Sequence, residues 1–293
     1  MNKFFFSIIR ALFYLISLLP FSVLYLLSDL LYLILFYGVK YRRKVVQENL
    51  ANSFPERSLF ERQAIEKKYY KYLADLILES VKMYSMSREE MLRRFKYVNF
   101  EEVDKYFKDN RAVIAVTAHY GNWEWGSPSL SLVNPTPSLV VYKPQTNKHF
   151  ENLINRMRSK FGSIMVPMKL TLRKVLEYKG KPSMLVLVGD QTPPREESQF
   201  FAPFLNQPTA IFLGIEKIAK LANTPVVYFH IDRVKRGYYE ATLKTLFENP
   251  KETTDHEITL AHTRELEQII QKKPELWLWS HKRWKFKPED LNR

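Results

Sequence analysis

The chain has 293 residues, no cysteine, a formal charge of +14 and a pI of about 9.6. Its length suits one large or two small domains with a buried core. The missing cysteine excludes disulfides, thiolate nucleophiles and cysteine-ligated zinc, and fits a body facing a reducing cytoplasm. The charge asks for an acidic partner: nucleic acid, an anionic membrane, or an acidic protein or lipid.

Residues 4–39 are almost wholly apolar and aromatic, interrupted only by Arg10, Pro20 and Asp29. The uncharged run from 11 to 28 is marginal for a spanning helix, which needs about 20 residues. A spanning helix, a re-entrant hairpin and an in-plane anchor all fit, and two buried helices broken at Pro20 are the competing reading. A cleaved signal peptide fits worse, because no small-residue cleavage site follows. Basic residues flank the run on both sides, Lys3 and Arg10 before it and "YRRK" (41–44) after it, so charge sets no orientation. The expected division is a membrane-anchoring segment over 1–40 and a catalytic body over 41–293. An apolar start of this length argues against a nucleic-acid binder.

Further along, "RQAIEKKYYKYLADLILESVKMY" (62–84) places Ile65, Tyr69, Tyr72, Leu73, Leu76, Ile77 and Ser80 on one helical stripe. The period then changes. "AVIAVTA" (112–118), "SLVVY" (138–142), "SMLVLV" (183–188) and "VVYFHI" (226–231) are short, β-branched runs bounded by turn residues and predict buried strands. Helical stretches at 150–162, 170–180 and 210–222 separate them. The alternation predicts an α/β fold with a largely parallel, mixed sheet flanked by helices, beside the N-terminal hydrophobic element. Such sheets bind ligands at the carboxyl ends of their strands. His119 and Asp190 each follow a predicted strand.

"AHYGNWEW" (118–125) sets Glu124 five residues after His119. Positions i and i+5 diverge on a helix and face opposite ways on a strand, so only a turn would bring the two side chains together; Gly121 and Asn122 suit one. A carboxylate beside a histidine is the arrangement of an oriented general base. The competing reading is a core histidine and a glutamate favoured by a helix N-terminus. The sequence has no G-x-S-x-G, Walker, dinucleotide or H-E-x-x-H motif and no local histidine cluster. Neither a metal nor a cofactor is therefore expected. With no evident protein nucleophile, direct attack by a substrate hydroxyl is the reaction that fits.

Taken together, "YRRKVVQENLANSFPE" (41–56), "AHYGNWEW", "VYKP" (141–144), "MRSKFG" (157–162), "GDQ" (189–191) and "WLWSHKRWK" (277–285) resemble, in order and spacing, the bacterial late acyltransferases of lipid A biosynthesis. That family also includes the mycobacterial phosphatidylinositol mannoside acyltransferases. The resemblance implies a glycerolipid-acyltransferase-like fold and O-acyl transfer from a thioester to a lipid hydroxyl, with His119 as base and Glu124 holding its tautomer. It further implies Arg158 as phosphate ligand or oxyanion donor, and Asp190 and Gln191 as residues that shape the cleft. Lys143 stands where the family often has arginine, which keeps the charge and loses the bidentate fork. Arg283, among three tryptophans, is a binding candidate at a lipid interface, although core tryptophans beside a solvated basic face fit equally. Acyl carrier protein is the expected donor and coenzyme A the alternative; the expected acceptor is an anionic lipid A precursor at the bacterial inner membrane, with the body facing the cytoplasm. Other readings are acylation of a glycolipid, an aminolipid or a lysophospholipid and, from a different class, a non-enzymatic basic membrane-surface protein.

Overall fold

The computed structural model describes residues 3–292. Two helices, α1 (Lys3–Leu18) and α2 (Phe21–Leu33), meet at Pro20, and α2 is prolonged by a wider turn over Ile34–Gly38. After α3 (Arg43–Ser53) comes the long α4 (Leu59–Lys82), which opens on a reciprocal cap. There the Ser58 hydroxyl accepts from the Glu61 backbone N–H at 3.3 Å, and the Glu61 carboxylate accepts from the Ser58 N–H at 2.7 Å. Next come α5 (Arg88–Arg94), β1 (Phe95–Tyr97) and α6 (Glu101–Lys108). The alternating core follows as β2 (Ala112–Thr117), α7 (Trp123–Val133), β3 (Ser138–Tyr142), α8 (Lys148–Arg158), β4 (Ile164–Pro167), α9 (Thr171–Glu177) and β5 (Ser183–Val188). A small hairpin of β6 (Phe201–Phe204) and β7 (Gln207–Ala210) precedes α10 (Gly214–Ala222), β8 (Val226–Lys235), β9 (Tyr238–Phe247) and α11 (Glu257–Lys272).

Seven strands form one sheet in the order β1-β9-β8-β2-β5-β3-β4. Every pairing in it is parallel except β8 with β9, so the largely parallel mixed sheet is as expected. Successive side chains of a strand face opposite ways, and β2 shows it: Ile114 and Val116 join one apolar cluster with Tyr69, Leu187 and Ile215, while Val113 and Ala115 join another with Trp125, Met157 and Phe229. Burial on both faces is what a parallel sheet requires.

The stripe predicted on α4 is only partly right. Ile65, Tyr69, Tyr72, Leu73 and Leu76 are buried, but Ile77 is exposed, and Asp75 and Glu79 lie inside. The reason is that α2 covers a second side of α4. Ser28 donates to Asp75 at 2.6 Å, and Tyr25 donates to Glu79 at 2.9 Å. Burial pushes the Glu79 carboxyl up to about 7.

The N-terminal pair lies along the body. Leu24, Ser28, Tyr32 and Phe36 recur every fourth residue on the buried side of α2, while Leu26, Leu30 and Leu33 face outward. Lys82 donates to the Ser17 and Leu19 carbonyls at 2.8 and 2.7 Å, and Arg236 pairs with Asp29 at 2.7 Å. On α1, Ile8, Leu12, Leu15 and Leu18 are at least half exposed. By length and composition, Phe21–Gly38 is apolar enough to cross a membrane.

Candidate active site

His119 and Asp190 meet because of strand register. In the β2–β5 ladder Thr117 is paired with Val188, and Gly189 extends it by donating to the Thr117 carbonyl at 3.0 Å. Each functional side chain then sits two residues beyond its paired strand residue. His119 Nδ1 lies 2.7 Å from Asp190 Oδ1, and Asp190 Oδ2 accepts from the His119 backbone N–H at 3.0 Å and from Trp277 Nε1 at 2.8 Å. Burial would raise the Asp190 carboxyl, but the adjacent imidazole and these three donors draw it down to about 2. An ionised carboxylate only accepts, so Nδ1 carries the proton and, in the neutral ring, Nε2 presents the lone pair. The Gln191 side-chain amide lies 3.2 Å from Nε2.

Glu124 does not hold the imidazole. It stands at the first turn of α7 and binds Arg158 from the end of α8 through two bonds, Nε to Oε2 at 2.9 Å and Nη2 to Oε1 at 2.6 Å. Trp123 Nε1 adds a third donor at 3.2 Å. Burial would raise Glu124 and lower Arg158; their mutual attraction outweighs it and shifts both the other way, carboxyl down and guanidinium up. The turn expected between His119 and Glu124 is present, with Gly121 at φ +61°. A side chain there would collide with the Ile231 carbonyl. The turn carries Glu124 to the arginine while Asp190, 71 residues beyond His119, takes the imidazole. Asn122 caps α7, accepting from the Trp125 N–H at 3.0 Å and donating to Glu79 at 2.7 Å.

His119, Trp123, Lys143, Arg158 and Gln191 line a groove of about 390 Å³, within the usual range for ligand sites, whose walls are largely apolar: Val140, Val186, Phe212, Ile215, Phe229 and Ile231. This lining was not legible in the sequence. A larger cavity of about 740 Å³ between α2, α4 and the β8–β9 turn is bordered by Arg233 and Arg236, both paired with Asp75, and contains neither His119 nor Glu124. Among the described residues, no three His, Asp or Glu side chains converge in a way that could hold a metal ion.

The C-terminal tryptophan segment braces this site. Leu278 N–H donates to the His119 carbonyl and Leu276 accepts from the Gly121 N–H, both at 3.1 Å. Trp277 and Trp279 are fully buried. Trp277 is the supporting residue that the sequence reading missed, although a buried indole N–H needs an acceptor, which is the signal that could have found it. Arg283, expected at a binding surface, is instead 3 % exposed and outside the groove, with Nε and Nη1 lacking a hydrogen-bond partner. Burial lowers its guanidinium to about 10 despite the Asp190 charge.

A sequence profile described as "Bacterial lipid A biosynthesis acyltransferase" matches residues 1–286. The chain is 24 % identical to the lipid A biosynthesis lauroyltransferase of Escherichia coli K12 over 282 residues, covering 95 % of this chain and 90 % of the relative. It is 22 % identical to the palmitoleoyltransferase of the same organism, covering 85 % and 81 %. A lipid A biosynthesis acyltransferase of Haemophilus influenzae is also 22 % identical, covering 90 % and 82 %.

Proposed function

The chain belongs to the bacterial lipid A biosynthesis acyltransferase family, and from that premise we propose that it moves a fatty acyl group from an acyl carrier protein thioester to a hydroxyl of a phosphorylated lipid A precursor at the inner membrane. The observation that carries the chemistry is His119, whose Nδ1 rests on Asp190 while Nε2, at a largely apolar groove, is met among the described residues only by the Gln191 amide, which the acceptor hydroxyl would displace. Nε2 takes the proton of the acceptor hydroxyl as its oxygen attacks the thioester carbonyl. Asp190 stabilises the imidazolium that forms, and a general base of this kind contributes roughly 10²- to 10⁴-fold in rate. The hydroxyls of Ser127, Thr171 and Thr192 at the groove donate to backbone carbonyls, and direct attack by the acceptor hydroxyl is the reaction we propose.

Backbone N–H groups at Gly121 and Asn122 are the alternative oxyanion donors that the sequence offers; the Gly121 N–H is bonded to Leu276, and Arg158 is the charged donor at the groove, where Glu124 holds its Nε and Nη2 and leaves Nη1 for the developing charge. Collapse of the tetrahedral intermediate breaks the carbon–sulfur bond, and the imidazolium returns the proton to the leaving thiolate. The products are ester and thiol. Lys143 at the groove rim and the charge of +14 suit the acceptor phosphates and an acidic protein donor. The relatives' names differ in the acyl group, so chain length is a property of the apolar walls. The fold is read as glycerolipid-acyltransferase-like.

The anchor is read as lying in the membrane plane with the body on the cytoplasmic side. If α2 crossed the bilayer in this packing, Asp75, Glu79 and Arg236 would be carried into the hydrocarbon at several kcal/mol each. Lying flat, α1 and α2 bury only their outward leucines in lipid. The test supplies the purified enzyme with lipid A precursor and either acyl-carrier-protein or coenzyme A thioesters of equal chain length, with products identified by mass. Ester formed faster from the carrier protein supports the reading; preference for coenzyme A overturns the donor, and absence of ester on the precursor overturns the acceptor.

A further inference from the structure

The wall of the groove continues onto the outer surface through an element the catalytic chemistry does not use. After β4 a single turn, Met168–Leu170, leads into α9, and Met168 and Thr171 line the groove. Leu172 and Leu176 are four apart on α9 and so share a face; they are 44 % and 53 % exposed, and Met168 and Leu170 of the preceding turn are 39 % and 42 % exposed. The other side of the helix holds the buried Thr171 and Val175. One exposed leucine means little, but four large apolar side chains within nine residues form a patch. Lys169 and Arg173 are exposed within the same segment, while Lys174 is paired with Glu177 at 2.8 Å.

The segment leaves β4 at the carboxyl edge of the sheet, where His119 and Asp190 also lie, so Met168 reaches the groove there before α9 runs back along the sheet towards β5. The N-terminal helices reach the same edge by another route: the Phe6 ring on α1 is 5.2 Å from that of His149 at the start of α8, and Phe150 beside it is exposed. Apolar side chains from two separate parts of the chain therefore flank the groove.

We infer that the 168–176 segment is a second membrane-contact element, which seats the mouth of the groove on a bilayer bearing anionic headgroups, so that the acceptor enters from the lipid side. Exposed apolar side chains interleaved with the exposed Lys169 and Arg173 match acyl chains beneath a layer of phosphates. An acidic protein would have to desolvate its carboxylates against leucine to sit there. The entry route rests on the lipid-acceptor reading; the contact itself does not.

The missing cysteine makes the test direct, because Leu172→Cys or Leu176→Cys in the full chain accepts one environment-sensitive fluorophore. The control is Lys251→Cys, exposed at the amino edge of the sheet, where Lys251 follows β9. On vesicles of phosphatidylcholine and phosphatidylglycerol, labels at 172 and 176 are expected to shift to the blue and to be quenched by acyl-chain nitroxides, with the control unchanged. Labels that stay silent while the protein co-sediments with the vesicles overturn the inference. A response to acyl carrier protein without one to vesicles also overturns it and assigns the face to a protein. In a second measurement, Leu172→Glu/Leu176→Glu is expected to raise KM for vesicle-borne acceptor by about 5-fold or more and to leave kcat on detergent-dispersed acceptor unchanged. An unchanged KM overturns the entry route. If the parental enzyme acylates no lipid A precursor at all, the functional reading fails while the fluorescence result still stands.

Discussion

Replacing Asp190 by asparagine removes one charge with almost no change in volume. Its carboxylate accepts three hydrogen bonds, from His119 Nδ1, the His119 backbone and Trp277 Nε1. An amide has one acceptor oxygen, so at least one donor would face an NH₂ group. A hydrogen bond to a charged partner contributes about 1.5–3 kcal/mol, which is about 10- to 150-fold in rate if it is lost only once the imidazolium forms. An amide N–H pointed at Nδ1 would in addition fix the proton on Nε2, the wrong nitrogen; in the serine-protease triad the corresponding substitution costs about 10⁴ in kcat. Asp190→Asn is therefore expected to lower kcat by about 10²- to 10⁴-fold, with KM for both substrates within about 2-fold. The assay is initial thiol release by purified full-length protein, with thermal unfolding as the check on folding. A folded Asp190→Asn enzyme within about 5-fold of the parental kcat would refute the assignment. Stability gives an independent reading. A folded carboxyl at about 2 against an unfolded one at about 3.9 contributes about 2 kcal/mol above pH 4, lost as pH falls from about 4 towards 2, so the variant should have a flatter acid limb.

Glu124→Gln should reduce both activity and melting temperature, because it leaves the Arg158 charge half-buried without its partner; the double variant Glu124→Gln/Arg158→Met should recover part of the melting temperature and none of the turnover. Gly121→Ala should lose several kcal/mol of stability or fail to fold, from the collision with Ile231 at φ +61°, as measured by urea unfolding; an alanine variant as stable as the parent would refute the turn geometry. Turnover should be indifferent to prolonged treatment with a strong chelator, and loss that is restored by zinc or magnesium would contradict the metal-free mechanism.

The central strands could be read from sequence because each is a short β-branched run buried on both sides. β9 was missed: its alternation of apolar residues with Glu240, Lys244 and other polar ones marks a strand with one open face, and it pairs antiparallel to β8. The helix expected from residue 210 begins only at Gly214, because Gln207–Ala210 forms a hairpin strand. At the site, the turn around Gly121 and the residue types were legible. The partners were not, because motif spacing records neighbours along the chain and says nothing of which strands lie side by side. His119 and Glu124 are five residues apart and bind different partners; Trp277, which contributes to the same carboxylate, is 87 residues beyond Asp190.

The register that joins Thr117 to Val188 has a consequence for how the protein acquires activity. The two halves of the proposed base travel on strands that become neighbours only after residues 118–182 have folded away from between them. Sliding β5 along β2 by one residue would move Asp190 by about 3.3 Å and turn its side chain to the other face, which a contact of 2.7 Å does not survive. On the proposed mechanism catalysis works as a check on assembly, since a chain whose central strands have closed out of step lacks the base, however well its helices have formed.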